Sequence, residues 1–169
     1  RDKGISIKES LNNKFGENKY PCEKGYPYMY DNAQGVPPDP SIGNEEALLK
    51  SAIETAKGAE KVVLCLGEYQ CIFGEAHSLS DIRLPKAQRD LFDEIYKVNQ
   101  NITVVLFNGR PLVLDDINDK ANAILDVWFP GTYGANAIVD MLFGERVPSG
   151  KLSMCFPQTL GQVPLHHEM

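Results

Sequence analysis

The sequence lacks the features that would point to a membrane or to a nucleic acid. No apolar run approaches the roughly 20 residues that a transmembrane helix requires. Basic residues are also in the minority, since 17 Lys and Arg face 23 Asp and Glu and the formal net charge is −6. Polyanions are bound through clustered positive charge. We therefore expect neither a nucleic acid nor a membrane surface as a partner.

Several motifs of cofactor binding and catalysis are missing as well. The chain has no G-x-x-x-x-G-K-S/T phosphate loop, no G-x-G-x-x-G after a strand and no G-x-S-x-G nucleophile elbow. Near the C-terminus, His166, His167 and Glu168 could hold a metal only adventitiously, because they offer no i,i+4 helical pair. We expect neither a cofactor nor a metal.

Cysteine spacing gives no sign of a metal site or a redox motif. The four cysteines are Cys22, Cys65, Cys71 and Cys155, without a C-x-x-C or a zinc-type spacing. We expect four free thiols, although the even number leaves a disulfide open. Cys65 and Cys155 lie in apolar stretches, which predicts that both are buried.

What the chain does have is an alternation of short apolar strands and amphipathic helices. The pattern predicts helices at 4–15, 44–58, 85–98, 115–120 and 132–143, and strands at 19–23, 61–66, 102–107, 123–129 and 151–156. Asn108-Gly109 is expected to end the strand at 102–107. The helical spacing predicts several buried side chains, namely Leu91, Phe92, Ile95 and Val98 in the helix at 85–98 and Ile138, Val139, Leu142 and Phe143 in the helix at 132–143. Such alternation is typical of βαβ units and a mostly parallel sheet. The fold predicted is a flavodoxin-like three-layer α/β/α sandwich. Because the pattern begins with a helix, we expect the first βα unit to be missing.

The most informative segment is the loop at 67–85, GEYQCIFGEAHSLSDIRLP. It follows strand 61–66, which is apolar throughout and is therefore expected to be buried on both faces. Loops beyond the carboxyl ends of parallel strands often carry functional groups, and this one offers Glu68 and Glu75. Glu75 lies between two small residues, which would let another surface approach it closely. From spacing alone, a solvated surface glutamate remains the more frequent role for Glu75.

Other polar residues of this loop suggest supporting roles. Glu68, directly after the strand, is expected to bond loop backbone and fix the start of the loop. His77 could tune a carboxylate, but a single loop histidine is more often a surface residue. Asp81 is predicted to cap the turn into Leu84 and Pro85.

A second loop could bind an anion. Gly131-x-x-Gly134 begins a helix directly after a strand, and free amides there could hold a negative group. The more frequent role of such glycines is a turn that packs helix against sheet, and we favour it.

Taken together, several ordered segments resemble one known family. The segments GE-x₆-EAHS-x₂-DI-x-LP-x₂-Q, VVLFNGRPL, AILDVWFPGTYGANAIVDMLFGERVPSGKL and FPQTLGQVP resemble the C-terminal α/β sandwich domain of glycoside hydrolase family 3. That family comprises β-glucosidases, β-xylosidases and their relatives. The similarity covers nearly all of residues 1–169 and is sharpest from 61 to 164.

The resemblance implies a role in a retaining exo-β-glycosidase. In this family the nucleophilic aspartate comes from a preceding TIM-like barrel, and the general acid/base glutamate often comes from a loop of the sandwich domain. The match places that glutamate at Glu75, within GEAHS. It implies two partners, a β-linked oligosaccharide or glycoside and an N-terminal barrel of the same polypeptide. It favours a periplasmic or secreted protein, with a cytoplasmic one left open.

The match departs from the family at Leu79, because relatives often carry an arginine between the EAxS segment and the aspartate. The barrel is also absent from the sequence, so we expect the chain alone to be inactive. Two alternatives remain: a non-catalytic flavodoxin-like binding domain, or a structural or sugar-binding domain of a degenerate glycosidase. Leu79 is the residue that keeps the second of these open.

Overall fold

A computed structural model describes residues 4–27, 39–69, 72, 77–115 and 117–165. In chain order its elements are α1 (Ile7–Phe15), α2 (Glu45–Lys57), β1 (Val62–Gly67), α3 (Lys86–Val98), β2 (Ile102–Phe107), α4 (Ile117–Lys120), β3 (Ala123–Asp126), α5 (Gly134–Leu142) and a 3₁₀ turn (Leu160–Gln162). From α2 to α5, helices and strands therefore alternate as the apolar pattern predicts.

The three strands form a parallel sheet in the order β1-β2-β3. Val62 pairs with Ile102 and Gly67 with Phe107, while Leu106 pairs with Asp126. Because all three strands run in one direction, their carboxyl ends lie at the same edge of the sheet. The loops that leave this edge are those after Gly67, Phe107 and Asp126.

One face of the sheet packs against α2 and α3. The buried cluster on this side joins side chains of β1 and β2 to those of α3, and includes Leu64, Leu66, Ile102, Val104, Leu106, Leu91, Phe92 and Ile95. Phe92 is fully buried at its centre. Side chains alternate along a strand, so this face takes every second residue of β2.

Helices α1 and α5 form a third layer, whereas Ile117 of α4 belongs to the cluster on the α2–α3 side. The side chain of Val105 alternates away from the α2–α3 cluster and is also fully buried. In α5, Ala135, Ile138 and Val139 are buried outside that cluster, and α5 packs against α1. The α/β/α sandwich with a parallel sheet is thus confirmed for the described residues.

The prediction that the first strand is buried on both faces is wrong. On the side away from α2 and α3, Val63 is 40% exposed and Cys65 is exposed. β1 is the edge strand of the described sheet, and no described helix covers these two side chains. Although Cys65 reaches the surface, the protein around the thiol desolvates it and, with Cys22 nearby, raises the pKa of Cys65 to about 11.

Two predicted strands do not form, and three predicted core residues lie at the surface. Residues 19–23 and 151–156 are irregular, since neither segment pairs with a strand in the described part of the chain. Cys155, expected to be buried, is exposed. Phe143 is 41% exposed at the end of α5, and Val98 is partly exposed at the end of α3. Val98 is the last residue of α3, and Phe143 directly follows the last residue of α5.

Candidate functional site

Three polar residues lie at the carboxyl edge of the sheet, one at the end of each strand. Glu68 follows β1, Asn108 follows β2 and Asp126 is the last residue of β3. The register of Gly67 with Phe107 brings residues 68 and 108 side by side. The strand order therefore assembles a polar edge that the sequence spreads over nearly 60 residues.

Glu68 is buried and bonded to the loop after β2. Its side chain is 1% exposed. Its Oε2 accepts a hydrogen bond of 2.9 Å from the backbone N–H of Gly109, and the Nε of Arg110 lies 3.0 Å from its Oε1. Glu68 bonds loop backbone as predicted, although the donor belongs to the loop that follows β2. It ties the ends of β1 and β2 together.

Arg110 extends this connection to the loop at 67–85. Its Nη2 donates a hydrogen bond of 3.1 Å to the backbone carbonyl of Ile72. The N–H of Ile72 in turn donates to the carbonyl of Tyr69, at 3.0 Å. One guanidinium thus contacts both the carboxylate of Glu68 and a turn of the loop. Arg110 was not predicted from the sequence, where its signal is an arginine three residues after the end of a buried strand.

Asn108 and Asp126 complete the polar edge. Asn108 is fully buried and its Nδ2 donates to the carbonyl of Arg110, at 2.9 Å. The Oδ1 of Asp126 accepts from the N–H of Trp128, at 3.3 Å, and desolvation raises the pKa of this carboxyl group. Within the described residues, Glu68 Oε1, Asn108 Oδ1 and Asp126 Oδ2 are buried without a hydrogen-bond partner, so the contact between Arg110 and Glu68 Oε1 is an ion pair. Buried oxygens of this kind are usually satisfied by water or a neighbouring group.

The base of the loop is held on both sides. At the start of the loop, the side-chain amide of Gln88 bonds both backbone groups of Gly67. The Gly67 N–H donates to Oε1, and Nε2 donates to the Gly67 carbonyl, each at 2.8 Å. Near the end of the loop, Arg83 forms a parallel β-bridge with Val113. The N–H of Val113 donates to the carbonyl of Ile82, at 3.1 Å. The loop therefore leaves from, and returns to, the ordered edge of the sheet.

Asp81 has a guanidinium partner within the loop. Arg83 contacts both carboxylate oxygens, with Nε 2.9 Å from Oδ1 and Nη2 2.5 Å from Oδ2. The N–H of Arg83 also donates to Oδ1, at 3.1 Å, which agrees with the predicted capping of the turn before Leu84. The side-chain and backbone hydrogen bonds from Arg83 lower the pKa of Asp81 to about 2. Asp81 thus pairs with an arginine even though Leu79 stands where relatives often carry one.

Glu75, the predicted catalytic residue, lies outside the described residues, as does Cys71. His77 is described and is exposed. Its position agrees with the surface role that a single loop histidine usually has. The structure therefore brings together Glu68, Asn108 and Arg110, and it places Asp126 at the same edge of the sheet. Of these four residues the sequence had singled out only Glu68.

The glycine turn after β3 is a packing turn. Gly131 has a φ of +70°, a conformation that L side chains rarely adopt. A Cβ at Gly134 would lie 2.4 Å from the Cβ of Pro130, and the Gly134 N–H already donates to the carbonyl of Gly131, at 3.1 Å. The backbone conformation explains Gly131 and close packing explains Gly134, in agreement with the favoured role of a turn. Tyr133, beside them, is 80% exposed.

Two expectations concern metals and membranes. Among the described residues, no group of three or more His, Cys, Asp or Glu side chains could hold a metal ion. The histidines at 166 and 167 fall outside that part of the chain. Within the described ranges, no helix has the length and apolar character needed to cross a membrane.

The sequence is similar to curated glycosidases. It is 40% identical over 139 residues to a periplasmic β-glucosidase of Salmonella typhimurium, covering 82% of this chain and 18% of that protein. A β-xylosidase of Formosa agariphila is 33% identical over 162 residues, covering 95% of this chain and 21% of that protein. The chain thus spans about a fifth of the length of these relatives.

Solved structures of β-glucosidases are similar to this chain as well. A glycoside hydrolase family 3 β-glucosidase of Bifidobacterium adolescentis superposes with a TM-score of 0.81 at 28% identity, over 96% of this chain and 22% of the other. A β-glucosidase of Listeria innocua in complex with isofagomine superposes with a TM-score of 0.79 at 32% identity, over 98% of this chain and 21% of the other. The family model described as the glycosyl hydrolase family 3 C-terminal domain matches residues 3–169. The chain therefore belongs to glycoside hydrolase family 3, as a C-terminal domain of that family.

Proposed function

We propose that this chain is the C-terminal domain of a retaining exo-β-glycosidase of the β-glucosidase type. Its substrate is a β-linked oligosaccharide or glycoside, and the protein acts in the periplasm or outside the cell. Glu75 supplies the general acid/base group. The nucleophilic carboxylate comes from an N-terminal barrel domain of the same polypeptide.

The observation that carries this proposal is the position of the loop at 67–85. The loop leaves the carboxyl edge of a parallel sheet, where functional groups of α/β domains gather. The side-chain amide of Gln88 holds the start of the loop, and the β-bridge between Arg83 and Val113 holds its end. A loop supported at both ends by ordered elements is suited to presenting one side chain to a separate domain.

The chemistry requires a shared site. Retaining hydrolysis uses two carboxyl groups about 5–5.5 Å apart, one attacking the anomeric carbon and the other protonating the leaving oxygen. The acid must stay protonated until it acts, and a poorly solvated cleft raises the pKa of a carboxyl group enough for that. A cleft closed between a barrel and this domain supplies such surroundings. In the second step, the same carboxylate removes a proton from the attacking water.

Substitution of Glu75 in the full-length polypeptide tests the assignment. Glu75→Gln should lower the rate by the 10²–10⁴-fold that general acid–base catalysis typically contributes. The first step should lose most with substrates whose leaving groups need a proton and least with a dinitrophenolate. The matched control is Glu60→Gln, since Glu60 is an exposed glutamate before β1. If Glu75→Gln spares both steps, the assignment is wrong and Glu68 is the next carboxylate to test.

The proposal also states that the chain alone is inactive, because Glu75 lacks its nucleophilic partner. The purified 169-residue chain should not hydrolyse an aryl β-glucoside. Turnover by this chain that disappears on Glu75→Gln would contradict the need for a second domain.

A further inference from the structure

We infer that Arg110 is a positioning residue for the general acid/base step, because its guanidinium fixes the loop that carries Glu75 to the sheet. The inference rests on the proposed function. It adds a residue from a different strand end, 35 positions away along the chain. Arg110 acts through the loop backbone and is assigned no contact with substrate.

Arg110 contacts the backbone of the loop through its guanidinium. Its Nη2 donates to the carbonyl of Ile72, at 3.1 Å. That residue closes a turn, since its own N–H donates to the carbonyl of Tyr69, at 3.0 Å. Tyr69 is itself buried. In sequence, Ile72 precedes Glu75 by three residues, so the guanidinium holds the last described backbone point before the segment that contains the proposed acid/base.

Arg110 is itself held in place by neighbouring groups. The carboxylate of Glu68, 1% exposed, lies 3.0 Å from its Nε. The other oxygen of Glu68 accepts from the N–H of Gly109, and Asn108 Nδ2 donates to the backbone carbonyl of Arg110. Both the main chain and the side chain of Arg110 are therefore fixed by buried groups of the sheet edge. A donor fixed in this way can define the position of the backbone it contacts.

The contact with both partners depends on the type of side chain at position 110. A guanidinium offers several N–H donors in a rigid fork, so it can face Glu68 and Ile72 together. A lysine ammonium keeps the positive charge but is a compact donor on a flexible stem, and it cannot reproduce this paired geometry. Arg110→Lys should therefore keep a positive charge beside the Glu68 carboxylate but weaken the hydrogen bond to the Ile72 carbonyl, which loosens the turn. A displacement of about 1 Å at a catalytic group can cost about 10²-fold in rate.

The experiment compares two β-glycosides in the full-length polypeptide, one with an alkoxide leaving group and one with a dinitrophenolate. Arg110→Lys should lower kcat/KM for the alkyl glycoside by roughly 10–10²-fold, because its departure needs a well-placed proton donor. The loss for the dinitrophenyl glycoside should be several-fold smaller. Arg146→Lys is the matched control, since Arg146 follows α5 and is exposed. Its kcat/KM for each of the two glycosides should equal that of the unaltered protein.

A role limited to stability would give another result. Loss of folded protein lowers both rates by the same factor, so equal losses for the two glycosides, or no loss, would overturn the inference. If Arg110→Lys does not fold, Glu68→Gln provides the second test, because it keeps an oxygen acceptor toward Gly109 and removes the charge facing Arg110. It should show the same preference between the two substrates.

Failure of this inference differs from failure of the proposed function. Glu75→Gln should show the leaving-group dependence whether or not Arg110 positions the loop. If Glu75→Gln shows it and neither Arg110→Lys nor Glu68→Gln does, only the positioning role is wrong. If Glu75→Gln shows none, the acid/base assignment fails first.

Discussion

The side-chain amide of Gln88 pairs with both backbone groups of Gly67, as a neighbouring strand would. The N–H of Gly67 donates to Oε1 and the carbonyl accepts from Nε2, each at 2.8 Å. Along β1, the N–H groups of Val62 and Glu68 donate to the β2 side. In a parallel pair such donors alternate, so the backbone groups of Gly67 point to the opposite edge. The first turn of α3 thus closes the edge of β1 where the loop at 67–85 begins.

Replacing Gln88 should loosen this end of β1. Gln88→Met keeps the approximate shape of the side chain and leaves two backbone groups of Gly67 unpaired, and each buried unpaired group costs about 1–3 kcal/mol. Amide hydrogen exchange of the β1 peptides in the full-length polypeptide should show the loss of protection. Gln158→Met is the control because Gln158 is exposed. Equal exchange in the two variants would contradict the role given to Gln88.

Gly67 should tolerate no side chain at all. A Cβ at this position would lie 2.0 Å from the carbonyl oxygen of Phe107, and that oxygen accepts the Glu68 N–H in the ladder. Gly67→Ala must therefore separate β1 from β2, and we expect a loss of more than about 4 kcal/mol in the free energy of unfolding, which is exceptional for one substitution.

Gly150 provides the control for that substitution, because a Cβ there would meet no atom within 4 Å. Gly150→Ala should change stability by less than about 0.5 kcal/mol. Denaturant titration of both variants measures the difference. A Gly67→Ala protein that unfolds at the same denaturant concentration as Gly150→Ala would show that the close approach is not required.

Much of the fold could be predicted because it follows from local patterns. The spacing of apolar residues places α3 and its buried Leu91, Phe92 and Ile95 correctly, and the turn at Asn108 correctly ends β2. The failures arise where burial depends on neighbours that a local pattern does not specify. Val63 and Leu64 are equally apolar, yet only Leu64 faces a helical layer.

The candidate site shows the same limit more strongly. Glu68 could be singled out because it directly follows a strand. Arg110 could not, since its role depends on the register that sets the end of β2 beside the end of β1. Asp81 was correctly linked to a turn, but its partner Arg83 was not identified, although the two residues are only two positions apart. The position of Glu75 rests on the family resemblance and stays a prediction.

The Asp81–Arg83 pair predicts a pH dependence confined to acid conditions. Hydrogen bonds from Arg83 lower the pKa of Asp81 from 3.8 to about 2. A carboxyl whose pKa is lower in the folded state contributes stability that is present above about pH 3.8 and is lost as the pH falls through about 2. The pair is partly exposed, with Asp81 47% accessible, so its contribution should be small and screened by salt.

Substitution of Arg83 separates the two sources of that shift. Arg83→Gln removes the guanidinium, so the pKa of Asp81 should rise toward its ordinary value. It should stop short of that value because the N–H of residue 83 still donates to Oδ1, a contact of 3.1 Å in the unaltered chain. Carbon NMR of the aspartate carboxyls, with only this domain isotope-labelled, measures the titration, and Arg146→Gln serves as the exposed control. An Asp81 that titrates alike with Arg83 and with Gln at position 83 would mean that the guanidinium contact is absent in solution.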